Sequence, residues 1–423
     1  MKKIISIFLC IAIVLSLAAC GGKEATDNTD ANGGTTDRTG NSQTTDTNDT
    51  TSNNTESGGN GKTDGSSGNP NASNTNNTTN NDNPSTSTVV TTDEAYKNFK
   101  AIFPDKTFIN VRGKSTDPKT HMVKMEGSDM YWRYVTVKAN KKGNTVNIFH
   151  TSDYHIVSTN EEDLKNPVTA SVFEKHSMSK NGMGKTQFNE MLKFTSFFDF
   201  TVSTGDNVDY MHLGALEFFK QTIFKLENAF FCLGNHDADR TNGGSVADTS
   251  TRESRYEVLA KYWPHDLDYS SKVIKDTVMI IQLDNSPSKY YGEQATKLAA
   301  DIEKARKGNL TVLIFQHKPL GVNDVKQSNV YPIDGGSPEN FQKAHIGGSK
   351  YTADAVTQKV YDLITQNADV VRGVFCGHVH DDFYTEIHGS YTKNNQKVDA
   401  IIPQYVVDAL HQENGTALAI TVK

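Results

Sequence analysis

TVNIFHTSDYH, residues 145–155, sets the pattern on which the fold is read: a β-branched and aromatic run that leaves its strand into Asp153-Tyr154-His155. Side chains two residues apart on extended backbone face the same way, so this carboxylate and imidazole can point to one side as the chain leaves a sheet. The pattern returns in FTVSTGDNVD (200–209), AFFCLGNHD (229–237), LTVLIFQHKP (310–319) and VVRGVFCGHVH (370–380). Each is an apolar run followed at once by a polar group, in three of the four by way of a glycine. Open α/β sheets carry their ligand and catalytic groups just past the carboxyl ends of their strands.

Between these runs the sequence turns helical. Gln187 to Phe198, Gly214 to Asn228, Glu293 to Lys307 and Ala353 to Asn367 repeat apolar residues at three- and four-residue spacing, and Gly308 stands where a C-cap glycine belongs. Strands are predicted at Thr145–His150, Phe200–Ser203, Ala229–Leu233, Val278–Leu283, Leu310–Gln316 and Val370–Cys376. Strands alternating with amphipathic helices make an α/β layered domain over 144–423. After His380 the pattern is strand-rich, with Phe383–Ile387, Ala400–Val407 and Thr416–Val422 closing the domain as a second sheet or a sheet edge. Residues 91–143 are apolar enough, through Tyr96, Phe99, Ile102, Phe103 and Phe108, to form an N-terminal extension packed on the main domain.

Five strand ends thus deliver Asp153, His155, Asp206, Asn235, His317, His378 and His380 in order. Carboxylate oxygen and imidazole nitrogen suit hard and borderline divalent ions. The blocks D-x-H, G-D-x-x-D, G-N-H-D, a lone His after a strand, and G-H-x-H resemble those of the calcineurin-like metallophosphoesterases over roughly residues 145–390. The resemblance implies a four-layer αββα sandwich and two divalent ions, with Mn, Zn, Fe, Co and Ni all open. It assigns Asp153, His155, Asp206 and His380 to the first ion, and Asp206, Asn235, His317 and His378 to the second, with Asp206 bridging. Two ions about 3.5–4 Å apart can generate a nucleophile and clamp the attacking and leaving oxygens of an in-line displacement at phosphorus. By the same resemblance His236 protonates the leaving-group oxygen, and Asp209 is the carboxylate that pairs with it. Two dications disfavour protonated His236, so such a partner is needed. Service as an eighth ligand is the rival role for His236.

Two departures narrow the family. Purple acid phosphatases would show glycine at 155 and tyrosine at 209, where this chain has His155 and Asp209. Calcineurin-type protein phosphatases would show arginine at 210, where Tyr210 stands. The long C-terminal region expected of surface 5′-nucleotidases is also not seen. His150 lies within a strand. His121, His176, His212, His265, His345, His388 and His411 lack ligand spacing and are read as surface or packing residues, His345 being the most plausible spare. It lies in the Leu320–Lys350 insertion, long enough to be functional, whose Tyr331 and Phe341 could face a leaving group. Cys232 and Cys376 sit in apolar runs and read as buried small residues, not a disulfide.

The N-terminus follows a different logic. Lys2 and Lys3 precede an apolar run to Ala19, and Leu17-Ala18-Ala19-Cys20 resembles the lipobox of bacterial lipoproteins. Residues 1–20 therefore read as a lipoprotein signal peptide acylated at Cys20. Residues 21–90 contain no Leu, Ile, Met, Phe, Tyr or Trp and read as a disordered Thr/Asn/Ser/Gly tether. As a flexible coil such a tether spans about 45 Å. The expected location is outside the cell, lipid-anchored to the outer face of the membrane. The tether holds nine acids against three bases, so of the net charge of −7 only −3 falls on 91–423 once the two signal lysines are counted. Neither a nucleic-acid footprint nor a polybasic membrane patch stands out. The metallophosphoesterase resemblance implies a phosphate-ester substrate, and the lipobox resemblance a membrane contact through lipid only. Two rivals to the phosphoesterase reading are a degenerate member of the fold serving as a surface binding protein, and a two-metal nuclease.

Overall fold

The computed structural model describes residues 94–112, 122–175, 182–238, 251–321, 330–332, 354–412 and 415–423. The signal, the tether and Cys20 lie outside them, as do His121, His176 and most of the Leu320–Lys350 insertion with Phe341 and His345.

Two seven-stranded sheets form the centre among the described residues. The first takes β1 (Phe108–Arg112), β2 (Met122–Met125), β3 (Tyr131–Val137), β4 (Val146–Thr151), β5 (Phe200–Ser203), β6 (Ala229–Phe231) and, from the far end of the chain, β14 (Thr416–Val422). The second takes β7 (Tyr269–Ile274), β8 (Val278–Leu283), β9 (Thr311–Phe315), β10 (Val330–Pro332), β11 (Val371–Cys376), β12 (Phe383–Lys393) and β13 (Gln396–Val406). Spatial order is β1-β2-β3-β14-β4-β5-β6 in one and β10-β12-β13-β11-β9-β8-β7 in the other.

The layering follows from the period-two alternation of apolar side chains. In β9, Leu313 and Phe315 join Val146, Ile148, Phe200 and Ile420 of the first sheet in a core between the sheets. Val312 and Ile314 point the other way, into a second core with α7 (Gln294–Gly308) and α8 (Ala355–Thr365). A third core lies on the outer face of the first sheet. There α1 (Glu94–Ile102), α4 (Gly184–Leu192), α5 (Leu213–Ile223) and α6 (Arg252–Leu259) cover Phe149, Ala417 and Ala419. Helices α2 (Glu161–Lys165) and α3 (Pro167–Lys175) connect β4 to α4. Strands buried on both faces read as continuous apolar runs, which is why β5, β8 and β9 stand out in the sequence. The result is the expected αββα sandwich, an α/β fold of two mixed sheets. Among the described residues no helix is long and apolar enough to cross a membrane.

Residues 94–137 supply α1 and three strands of the first sheet, because β14 pairs in parallel with β3 and antiparallel with β4. Arg133 of β3, buried, forms an ion pair with Asp382 at 3.2 Å and donates to the Val406 carbonyl at 3.0 Å, so it ties the first sheet to the second. Three local expectations shift. The helix predicted over Gln187–Phe198 ends at Leu192 and is followed by a 3₁₀ turn at Thr195–Phe197. The left-handed cap of α7 is Asn309, with φ 51°, while Gly308 is the last helical residue. Asparagine tolerates that conformation through local hydrogen bonding of its short amide. Finally, β12 and β13 form one long hairpin of the second sheet, whereas β14 enters the first sheet.

Candidate dinuclear metal centre

Strands β4, β5 and β6 are mutually parallel in one sheet, as are β9, β11 and β13 in the other. Their carboxyl ends open on one edge of the sandwich, and every predicted site residue leaves a strand there. The turns are tight. Asp153, His155, Asp206, His378 and His380 all have positive φ, between 46° and 70°. Non-glycine residues held in the left-handed region cost on the order of 1–3 kcal/mol each and cluster where function demands it. Backbone bonds between the β4 and β5 exits hold the turns: Asp153 N–H donates to the Gly205 carbonyl at 3.0 Å and His155 N–H to that of Asp206 at 2.8 Å. Two glycines are required by closeness. A Cβ on Gly234 would lie 2.1 Å from Asp206 Oδ1, and one on Gly377 would lie 2.2 Å from Asp153 Oδ2.

Each central aspartate is oriented by a backbone amide. Asp153 Oδ2 accepts from His378 N–H at 2.9 Å, which leaves the buried Oδ1 facing His380 Nε2 at 3.2 Å. Asp206 Oδ1 accepts from His236 N–H at 2.8 Å, and its Oδ2 lies between His317 Nε2 at 3.2 Å and His155 Nε2 at 3.6 Å. The histidines are oriented through their other nitrogen. His317 Nδ1 stands 2.8 Å from the Thr204 carbonyl, which can only accept, so that nitrogen carries the proton and Nε2 presents its lone pair. Around His317 Nε2 lie Asn235 Oδ1 at 3.2 Å and His378 Nδ1 at 3.1 Å. His155 Nδ1 is 2.7 Å from Asp209 Oδ1, and its Nε2 is 3.1 Å from His380 Nε2.

Lone-pair atoms converging on two points suit divalent cations, and the supporting bonds to the far ring nitrogens are those that orient metal-bound histidines. Asp153, His155, Asp206 and His380 bring their donor atoms within 4.8 Å of one another, and so do Asp206, His317 and His378. Asp206 belongs to both groups. Burial opposes charge on Asp153 and Asp206, but the surrounding imidazoles hold both below the usual carboxylate range. Burial pushes His378 down to about 3, helped by His317 and Lys318, which keeps its ring neutral.

His236 lies at the rim, its side chain 33% exposed, with Nδ1 3.0 Å from Asp209 Oδ1. Burial alone would lower it, yet Asp209 and Asp206 hold it up to about 9. Two residues of this edge were not assigned from sequence. Asp237 accepts from Val208 N–H at 2.8 Å, Gly234 N–H at 2.8 Å and Asn207 Nδ2 at 3.0 Å, and so fixes the loop bearing Asn235 and His236. Its place in the G-N-H-D block was a usable signal. His411, read above as a surface or packing residue, is buried beside His155 and His380, with a ring nitrogen within 4.8 Å of theirs. It follows a sixth strand end, that of β13, but without a glycine or a second polar residue to mark it.

The sequence matches the family model of the calcineurin-like phosphoesterases over residues 146–382. Curated proteins yield no match. Among solved structures, a Staphylococcus aureus protein described as a candidate 5′-nucleotidase in complex with α-ketoglutarate is similar at 10% identity and a TM-score of 0.35, over 66% of this chain and 54% of that one. The chain thus spans about half the length of that protein. A dimetal phosphatase from Danio rerio is similar at 12% identity and a TM-score of 0.31, over 63% of this chain and 88% of the other. Since the family match runs through all five strand-end motifs and over more than half of the sequence, the chain belongs to the calcineurin-like phosphoesterases.

Proposed function

We propose that the chain hydrolyses a phosphate mono- or diester at a dinuclear centre on the outer face of the cell membrane. The first ion is held by Asp153, His155, Asp206 and His380, and the second by Asp206, Asn235, His317 and His378. The observation that carries this reading is Asp206 Oδ2, set between His317 Nε2 at 3.2 Å and His155 Nε2 at 3.6 Å, where one oxygen serves both clusters. Two ions there supply Lewis acidity at phosphorus and a nucleophile at neutral pH. The protein's own part is orientation and proton delivery. Backbone amides aim the two aspartates, and Asp209, 3.0 Å from His236 Nδ1, favours the protonated ring and leaves its Nε2 for a leaving-group oxygen.

Location rests on the sequence: the Leu17–Cys20 lipobox, and a polar stretch, 21–90, that separates it from the catalytic domain. Metal identity and ester class are decided by one assay. The purified chain, stripped of metal and reloaded with Mn²⁺, Zn²⁺, Fe²⁺, Co²⁺ or Ni²⁺, is offered p-nitrophenyl phosphate, bis-p-nitrophenyl phosphate and single-stranded DNA. Metal-dependent release of p-nitrophenol is expected, faster than DNA cleavage. No turnover of any ester with any ion would return the chain to the role of a surface binding protein.

A further inference from the structure

The third histidine at the first cluster, His411, has no part in the ligand sets above. Strand β13 pairs in parallel with β11, whose end bears His378 and His380, so the residues after Val406 emerge at the same edge. The segment is then bonded onto the turn that carries Asp153. Leu410 N–H donates to the Ser152 carbonyl at 3.2 Å, His411 N–H donates to that of Asp153 at 3.1 Å, and the His411 carbonyl accepts from Met183 N–H at 3.1 Å.

The ring is as constrained as the backbone. His411 Nδ1 lies 3.2 Å from the Asp153 carbonyl oxygen, which can only accept, so Nδ1 carries the proton and Nε2 offers its lone pair. The imidazoles of His155, His380 and His411 stand pairwise edge-on, with centroids 4.6, 4.9 and 5.0 Å apart. Among the described residues Nδ1 has the Asp153 carbonyl as its partner and Nε2 has no hydrogen-bond partner, and a buried polar atom gains from having one. A cation shared by the three rings is such a partner.

We infer that His411 is a third imidazole ligand of the first metal ion, beside Asp153, His155, Asp206 and His380. The inference rests on the dinuclear reading above and extends it. It makes the two sites unequal: three nitrogens and two carboxylates at the first, against two imidazoles, a carboxylate and an amide at the second. Imidazole favours Zn, Fe, Ni and similar ions over Mg and Ca, so the first site is the more selective and the slower to lose its ion to a chelator.

The test is a Co²⁺ titration of the full chain, followed by calorimetry and by visible ligand-field absorption, with three variants beside the unmodified protein. His411→Asn keeps an N–H donor near the Nδ1 position and removes Nε2. His411→Gln places an amide atom near the Nε2 position. His411→Ala removes both. The unmodified chain is expected to take up two ions in distinguishable steps. His411→Ala and His411→Asn should each weaken one step by about 10–100-fold or more and alter its spectrum, with the other step unchanged and with His411→Gln recovering part of the loss. Wild-type affinity and spectrum in His411→Asn would overturn the ligand role and leave only the hydrogen bond to Asp153. An unmodified chain that binds two ions, with all three variants indistinguishable from it, overturns this inference alone. An unmodified chain that binds no Co²⁺ overturns the dinuclear reading with it.

Discussion

Asp209 Oδ1 lies between two imidazoles, 3.0 Å from His236 Nδ1, which the Asp209 carbonyl also approaches at 3.2 Å, and 2.7 Å from His155 Nδ1. One carboxylate therefore orients both the proposed acid at the rim and a proposed ligand within. His236 itself contributes no side-chain atom to the two clusters that share Asp206. Replacing it with alanine is expected to leave metal content near normal and to lower kcat by roughly 10²–10⁴-fold, the usual worth of a general acid. The loss should shrink for an ester with a very good leaving group, which needs no proton. Equal loss across a leaving-group series contradicts the acid role.

The metal-free protein should respond to pH in a definite direction. Burial alone would lower His155, but Asp153 and Asp209 hold it up to about 10, against 6.5 for the free side chain. A folded value above the unfolded one means a stabilising contribution that is complete below pH 6.5 and is lost as pH rises through 10. Metal must displace that proton, so ion binding strengthens over the same range. The gap in Tm between loaded and metal-free protein should thus widen from pH 6.5 upward. A gap that narrows with pH counts against protonated imidazoles in the empty cluster.

Arg133 and Asp382 are both buried, with Thr416 Oγ1 donating to Asp382 Oδ2 at 2.6 Å. Asp382 follows the Gly377–His380 turn by two residues, so the pair also steadies the β11 exit. Asp382→Ala strands a buried guanidinium and is expected to cost about 3–5 kcal/mol in denaturant unfolding. The exposed Lys165–Glu162 pair is the control, where removing Glu162 should cost less than about 1 kcal/mol. Equal effects at the two sites would mean that Arg133 finds another partner.

If Cys20 carries the proposed lipid, Cys20→Ser should release the protein from the membrane fraction with its catalytic constants unchanged, since the polar stretch of sequence, 21–90, lies between Cys20 and the proposed catalytic domain. Cell fractionation with an ester assay on both fractions checks it. A variant still wholly membrane-bound shows a different anchor.

Much of this was legible in the sequence because the strands that carry the site are short, buried on both faces and closed by a Gly-plus-polar signature, as at Gly234-Asn235 and Gly377-His378. What was not legible depends on contacts distant in sequence. The place of residues 94–137 in the first sheet is set by β14, whose Leu418 pairs with both Arg133 and His150. His411 reaches the cluster only because β13 aligns with β11, a register that no local pattern announces. Asn309, at the end of α7, shows the reverse limit: the helix end and its left-handed residue each lay one position beyond the Lys307 and Gly308 that the sequence pattern suggests.

The central claim is that one carboxylate serves two ions, and metal content in Asp206→Asn tests it most directly. Elemental analysis of the unmodified chain after reloading and gel filtration should give two ions per protein. In Asp206→Asn, occupancy is expected to fall at both sites and hydrolysis of p-nitrophenyl esters to vanish. Two ions per chain with hydrolysis intact in that variant would contradict the shared site.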